Sequence, residues 1–378
     1  MRYISSGHSH GEQITIIIEG IPSNLSIDIK KINEELKKRQ KGYGRGQRMQ
    51  IEHDQAQILS GVLFGKTTGA PIAVVVKNKD YQFHLQYMEP FAHDLTNYNP
   101  IKVPRPGHAD LVGAIKYNFR DMRLVFERAS ARETVSRVVV GAICKQILAL
   151  LNIETLSYVK NIGGISCKID FDKTYIEKSL VSMPSKTASE KAMELIDETM
   201  LKRDTLGGIC QVEVNNVPVG LGSFVTDETK LDAKIASSVM SIQSCKGVEF
   251  GDGFELSNYF GSQAHDEISY EDGFTRQSNH YGGFEGGMTS GMPIILKAVF
   301  KPIPTLMQPL QSVNIDTKAK TASHIERSDV CVLPAAAIIC EHTVAIEITK
   351  ALITQFTSDT IEQLIDAVFN YQKYTKRF

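Results

Sequence analysis

The chain has 378 residues, 42% hydrophobic and 22% charged, with a formal net charge of −1. That length and apolar content supply a core for one large domain or two smaller ones, and the charge balance argues against a general nucleic-acid or membrane-surface binder. Six cysteines without a CxxC pair read as reduced, buried thiols of a cytoplasmic protein, and the N-terminal residues show no secretory pattern.

In chain order, Gln13–Glu19 is a β-branched run that ends at Gly20 and Pro22, which predicts a strand and a turn. Ser26 or Asp28 then caps a helix through about Lys38, with Ile29, Ile32 and Leu36 on one side. Residues 41–48 form a Gly- and Arg-rich loop, followed by strands near 57–64 and 72–77. Residues 80–104 are polar and aromatic without a period and read as a mobile insertion. Helices are predicted over 110–118, with Asp110 as its cap, and over 131–151, where Val135, Val138, Val139, Ala142 and Ile143 recur at helical spacing. A further helix covers 186–203, strands recur at 209–214 and 294–300, and two final helices cover about 335–356 and 359–374.

Three segments echo one another in the same order. Ile17–Pro22 is matched loosely by Val212–Pro218, Gly65-Lys-Thr-Thr-Gly-Ala-Pro-Ile by Gly287-Met-Thr-Ser-Gly-Met-Pro-Ile, and Glu127-Arg128 by Glu326-Arg327. Recurring turn chemistry accounts for this, and so does an internal duplication with pseudo-repeats 1–151 and 206–378 inside a single domain 1–378. On the second reading 152–205 is a connector, and Arg128 and Arg327 are mates facing one site.

The chemistry concentrates in two glycine-flanked histidine loops, Gly7-His8-Ser9-His10-Gly11 and Arg105-Pro106-Gly107-His108, with arginine dense around both. Imidazoles that titrate near neutral pH beside fixed cations point to acid–base work on an anionic small molecule. Arg39, Arg45 and Arg48 bracket a loop able to converge on one anion. Arg128, Arg132 and Glu133 open a helix that Ser130 can cap, making its N-terminus an anion site. His8 and His10 would share a face on a strand, as metal ligands do, yet the remaining histidines are scattered singly and no metal set is assigned. A metal-dependent hydrolase built on His8 and His10, or an RNA- or anion-binding module, stays open on residue patterns alone. No GxxxxGK[ST], GxSxG or strand–GxGxxG–helix context occurs.

Taken together, GHSHG (7–11), KRQKGYGRGQRM (38–49), PRPGHADLVGAIKY (104–117), ERASARET (127–134), MSIQSCKGVEFGDGF (240–254), SNHYGGFEGGMTSGMPI (278–294), Phe300–Thr305 and ERSDVCVLPAA (326–336) resemble the chorismate synthase family over almost the whole chain. The resemblance implies an α+β fold with helices sandwiched between antiparallel β-sheets, assembled as a homotetramer in the cytoplasm. It implies a lyase of the shikimate pathway that removes phosphate and a C6 hydrogen from 5-enolpyruvylshikimate 3-phosphate by anti-1,4-elimination, giving chorismate and requiring reduced FMN. FAD and NADP are associated with the family as well. NADPH would act here indirectly, through an external flavin reductase, although Arg39 and Arg45 correspond to a site considered for NADPH.

Carried onto this chain, the resemblance makes His10 the acid for the departing phosphate and places His108 by the flavin. Asp329 becomes a proton acceptor near flavin N5, aided by Ser9 and Ser130. Flavin contacts would fall on Arg128, Ala129, Ser130, Gln243, Ser244, Gly286, Lys301, Pro302, Ile303, Pro304, Thr305 and Arg327, with Arg39, Arg45, Arg48, Arg105 and Arg132 for the substrate anions or NADPH. His8 stands where the family commonly has Glu, Gln243-Ser244 where Asn-Ala is frequent, and Arg-Ser-Asp-Val where many members have Arg-His-Asp-Pro.

Overall fold

The computed structural model describes residues 1–46, 53–91, 98–167, 169–271, 273–326 and 328–378. The strand Gln13–Glu19 alternates buried and half-buried positions, with Ile14, Ile16 and Ile18 at most 1% exposed. One face of its sheet therefore lies against the core and the other faces outward. This first sheet runs Arg2–Ser6, Gln13–Glu19, Ile72–Lys77, Ala56–Ser60, all antiparallel. The second runs Cys245–Phe250, Ile294–Phe300, Gly208–Asn215, Glu154–Ile162, with the short Ile165–Ser166 at its edge, again antiparallel.

Four helices lie between the sheets. Val135–Leu150 and Ile29–Gln40 pack toward the first sheet, Leu333–Gln355 and Leu231–Met240 toward the second, and the two long helices pack on each other. Leu333–Gln355 is buried on nearly every face, because it has a sheet on one side and helices on the others. Its crossing with Val135–Leu150 is close: a Cβ on Gly141 would stand 2.7 Å from both the Cα and the carbonyl oxygen of His342. The result is the α+β sandwich that the sequence implied.

Each sheet reads 1-2-4-3 in the chain order of its four main strands, and a long central helix follows the last main strand of each sheet. The echoed threonines occupy equivalent clasps. Thr67 Oγ1 accepts from Leu25 N (2.9 Å) and donates to Pro22 O (2.6 Å); Thr289 Oγ1 accepts from Leu221 N (2.9 Å) and donates to Pro218 O (2.6 Å). One boundary differs from the expectation. Glu154–Ile162 lies inside 152–205, yet it is the first main strand of the second sheet, so that stretch is no mere connector. Within 80–104, Lys79–Phe83 and Leu85–Met88 are short helical turns, and 92–97 lie outside the described residues.

Candidate active site

Both central helices begin at one cavity of about 570 Å³. The turn Ala131–Thr134, which feeds Val135–Leu150, lines it from one half, and Val332, Ala335, Ala336 and Ile339 from the other. Two helix N-termini thus direct their positive dipole ends at the same volume. Among the described residues, six cationic side chains reach its wall (Arg39, Arg45, Arg105, Arg132, Lys246 and Lys301), against the carboxylates of Glu326 and Asp329. Phe126, Met240 and Ile242 make an apolar surface beside them. A planar apolar group and several anions can be held together in such a space.

The Gly7–Gly11 loop is pinned from outside its own segment. Ser9 N donates to Glu127 O at 2.8 Å, and Asn78 Nδ2 to Gly11 O at 2.5 Å. Gly7 adopts φ +132°, and a side chain there would run into the Gln13 carbonyl. Glu127, only 6% exposed, then takes His10 twice: its Oε2 accepts from the backbone N at 2.9 Å and its Oε1 pairs with Nδ1 at 2.8 Å. Burial raises the Glu127 pKa, but the His10 hydrogen bonds and the Arg123 guanidinium outweigh it and hold the carboxyl below its usual range. An ionised Glu127 fixes the proton of Nδ1 and orients the ring. Ser9 Oγ donates to Ser130 Oγ at 3.0 Å, and Ser130 Oγ caps the next turn by accepting from Arg132 N.

His108 is held in the same way. Its Nδ1 lies 2.5 Å from Asp110 Oδ1, while Arg105 forks onto Asp110 through Nε (2.8 Å) and Nη2 (3.0 Å). Burial raises the Asp110 pKa, yet the His108 and Arg105 hydrogen bonds hold it well below the carboxylate range. Asp110 was expected as a helix cap. Instead Ala109 is the N-cap of Asp110–Tyr117, and the carboxylate faces Arg105 and His108. Arg105 also donates to Thr305 Oγ1 at 3.2 Å and sits 5.1 Å over the Phe126 ring, tying the histidine loop to the Phe300–Thr305 segment.

The remaining arginines are less free than their density suggests. Arg132 Nη1 lies 2.7 Å and Arg39 Nη1 3.6 Å from the fully buried Asp54, so two guanidinium groups share one carboxylate. Arg132 Nη2 is buried without a hydrogen-bond partner among the described residues. Arg45 Nε lies 3.4 Å from Asp329 Oδ2, and Gly46 N donates to Asp329 Oδ1 at 2.5 Å. Of the residues that the resemblance assigns to flavin, Ala129, Ser130, Gln243, Ser244, Lys301, Ile303, Pro304 and Thr305 line the cavity. Lys301 Nζ donates to Gly107 O, and Gln243 Oε1 is buried without a partner among the described residues.

Other expected contacts lie elsewhere. Arg128 is exposed and donates to Ser5 O at 3.0 Å, on the outer side of the histidine loop. Gly286 stands in the exposed bend of a short hairpin near Phe224, and Pro302 is exposed. None of these three lines the cavity. His8 is also exposed and outside it. Arg48 and Arg327 lie outside the described residues. Sequence reasoning missed Glu127 as the partner of His10 and Asp54 as the partner of two arginines. Only the shared GHSHG and ERASARET motifs hinted at the first, because the partners are 117 residues apart.

The family model described as chorismate synthase matches residues 1–353. That span includes every segment lining the cavity. The chain belongs to the chorismate synthase family. Chorismate synthase from Enterococcus faecalis is 49% identical over 388 residues, with both chains fully covered, and that from an Exiguobacterium species is 51% identical with 99% of each covered. A crystal structure of chorismate synthase superposes with a TM-score of 0.80 at 38% identity, covering 100% of this chain and 98% of that one. Membership of the chorismate synthase family makes the protein a carbon–oxygen lyase of the shikimate pathway.

Proposed function

We propose that this protein converts 5-enolpyruvylshikimate 3-phosphate to chorismate by anti-1,4-elimination of phosphate and a C6 hydrogen, with reduced FMN required. The observation that carries the reading is the pair of carboxylate-held histidines at one cationic cavity, in a chain of this family. The substrate brings one phosphate and two carboxylates. Arg39, Arg45, Arg105 and Arg132 meet these anions on the cavity wall, aided by the two helix N-termini. Arg48 belongs to the same proposed set.

As the C–O bond to phosphate breaks, the phosphate leaves with the bonding pair. His10 Nε2 then delivers a proton to it, which lowers the cost of expelling a dianion. Glu127 holds the ring at Nδ1 so that only Nε2 exchanges protons. The C6 hydrogen ends as a proton on Asp329, whose Oδ1 is already engaged by Gly46 N. Ser9 and Ser130, bonded to each other, position the His10 loop against the cavity floor.

The described residues fit a flavin. The apolar wall formed by Phe126, Met240 and Ile242 suits a ring system, and the partnerless Gln243 Oε1 suits a ring N–H. Ala129, Ser244, Lys301, Ile303, Pro304 and Thr305 would hold FMN, with His108 beside it as a hydrogen-bond donor; Arg327 belongs to the proposed contacts too. Held there, reduced FMN would supply reversible one-electron chemistry without net redox change. The protein's part is to place and charge the site. We assign supply of reduced flavin to an external, NADPH-using reductase.

The matching sheet orders and threonine clasps support two pseudo-repeats within one domain, the second beginning at Glu154. Family membership supports a homotetramer in the cytoplasm; no helix among the described residues is long and apolar enough to cross a membrane. Substitution tests the residue roles. His10→Ala and His108→Ala should each lower turnover by about 10²–10⁴-fold, the range for general acid–base groups. A variant that keeps the parent rate removes that histidine from the mechanism.

A further inference from the structure

Beside the cavity, the Gly7–Gly11 loop meets the turn Lys79–Phe83, and a second cluster forms there. Asp80 Oδ2 lies 4.0 Å from His10 Nε2 and 3.5 Å from His84 Nε2. The imidazole rings stand 4.3 Å apart between centroids at an angle of 41°. One ligand-capable atom from each residue falls within 4.8 Å of the other two. A tetrahedral zinc ion with bonds of about 2.0–2.1 Å separates its ligands by about 3.3 Å. Small side-chain rotations therefore close this triangle around an ion.

Further features suit a cation. The three side chains are 18%, 15% and 26% exposed, so an ion reaches them from solvent. Glu127 holds His10 at Nδ1, the carboxylate–histidine arrangement that orients Nε2 toward a metal. With Asp80 it supplies two negative charges around a divalent ion, partly offset by Arg123, which lies 3.9 Å from Glu127. Two imidazoles and one carboxylate favour zinc and its neighbours over magnesium or calcium, which take oxygen donors.

We propose that His10, Asp80 and His84 form a binding site for a divalent transition cation such as zinc, and that the bound ion inhibits turnover by occupying His10. Three protein ligands leave a fourth position for water. With Nε2 on the metal, His10 has no proton to give the leaving phosphate. This inhibitory consequence rests on His10 acting as the acid; the metal site itself does not.

The test uses full-length protein stripped with EDTA and desalted. Titration with Co²⁺ should show one equivalent per chain, with the visible absorption of a four-coordinate ion, displaced by Zn²⁺. His84→Ala and Asp80→Asn should each weaken Zn²⁺ binding by about tenfold or more. Zn²⁺ should inhibit turnover reversibly, scored against each variant's own metal-free rate, and both substitutions should raise the half-inhibiting concentration by a similar factor. No cobalt absorption, or zinc affinity unchanged in both variants, would overturn the site. Zinc that binds through His84 and leaves parent turnover intact would uphold the site and overturn His10 as the acid.

Discussion

Glu127 gives both carboxylate oxygens to one residue, His10, and is itself almost out of solvent. A buried carboxylate in that position fixes both the ring orientation and the tautomer, and substitution to the amide keeps the shape while removing the charge. Glu127→Gln should therefore lower kcat by about 10–10²-fold while KM for the phosphorylated substrate stays near the parent value. Steady-state kinetics at saturating reduced flavin checks this; a rise in KM at unchanged kcat would make Glu127 a binding residue instead. At this scale the sequence showed the histidines and the arginines but not their partners. Glu127 lies 117 residues from His10, Asp80 lies 70 residues from His10, and Asp54 lies 15 and 78 residues from Arg39 and Arg132, and no local spacing signals such pairs. Asp110 was misread for the opposite reason, since its place before an apolar run matches a cap, and the Arg105 fork that overrides it needs coordinates.

At the scale of elements, apolar periodicity placed the main helices well. Helices expected over 186–203 and 335–356 are Lys186–Leu201 and Leu333–Gln355. Arg2–Ser6, Glu154–Ile162 and Cys245–Phe250 escaped notice because they mix polar residues with half-buried positions. The two long helices cross closely, and Gly141 makes the approach possible. Gly141→Ala would force a methyl group into the His342 backbone, so about 3 kcal/mol or more of destabilisation is expected in chemical denaturation. A change within about 0.5 kcal/mol would mean that the helices separate at little cost.

Across the whole molecule, charge is buried where the halves meet. Glu341, 5% exposed, accepts from Lys145 (2.6 Å), Thr155 (2.7 Å) and Ser157 (2.7 Å), and His342 Nε2 stands 3.3 Å from Glu35. Burial opposes ionisation of Glu35 and Glu341, but His342 and Lys145 outweigh it and lower both carboxyl pKa values. Burial likewise disfavours the Lys145 ammonium, and Glu341 and Glu35 more than restore it, raising its pKa. Lowered carboxyl values contribute stability that is present above the ordinary carboxylate range and lost as pH falls through the folded values. A raised lysine value contributes stability that is lost only as pH rises through the folded value. Thermal unfolding should therefore show a plateau from about pH 5 to 9, with Tm falling below about pH 4. A Tm that rises on acidification would contradict this network. The account as a whole turns on turnover. Under anaerobic conditions, protein, reduced FMN and 5-enolpyruvylshikimate 3-phosphate should release phosphate together with the absorbance of chorismate, and oxidised FMN should give neither. A folded protein that releases no phosphate with reduced flavin would contradict the proposed function.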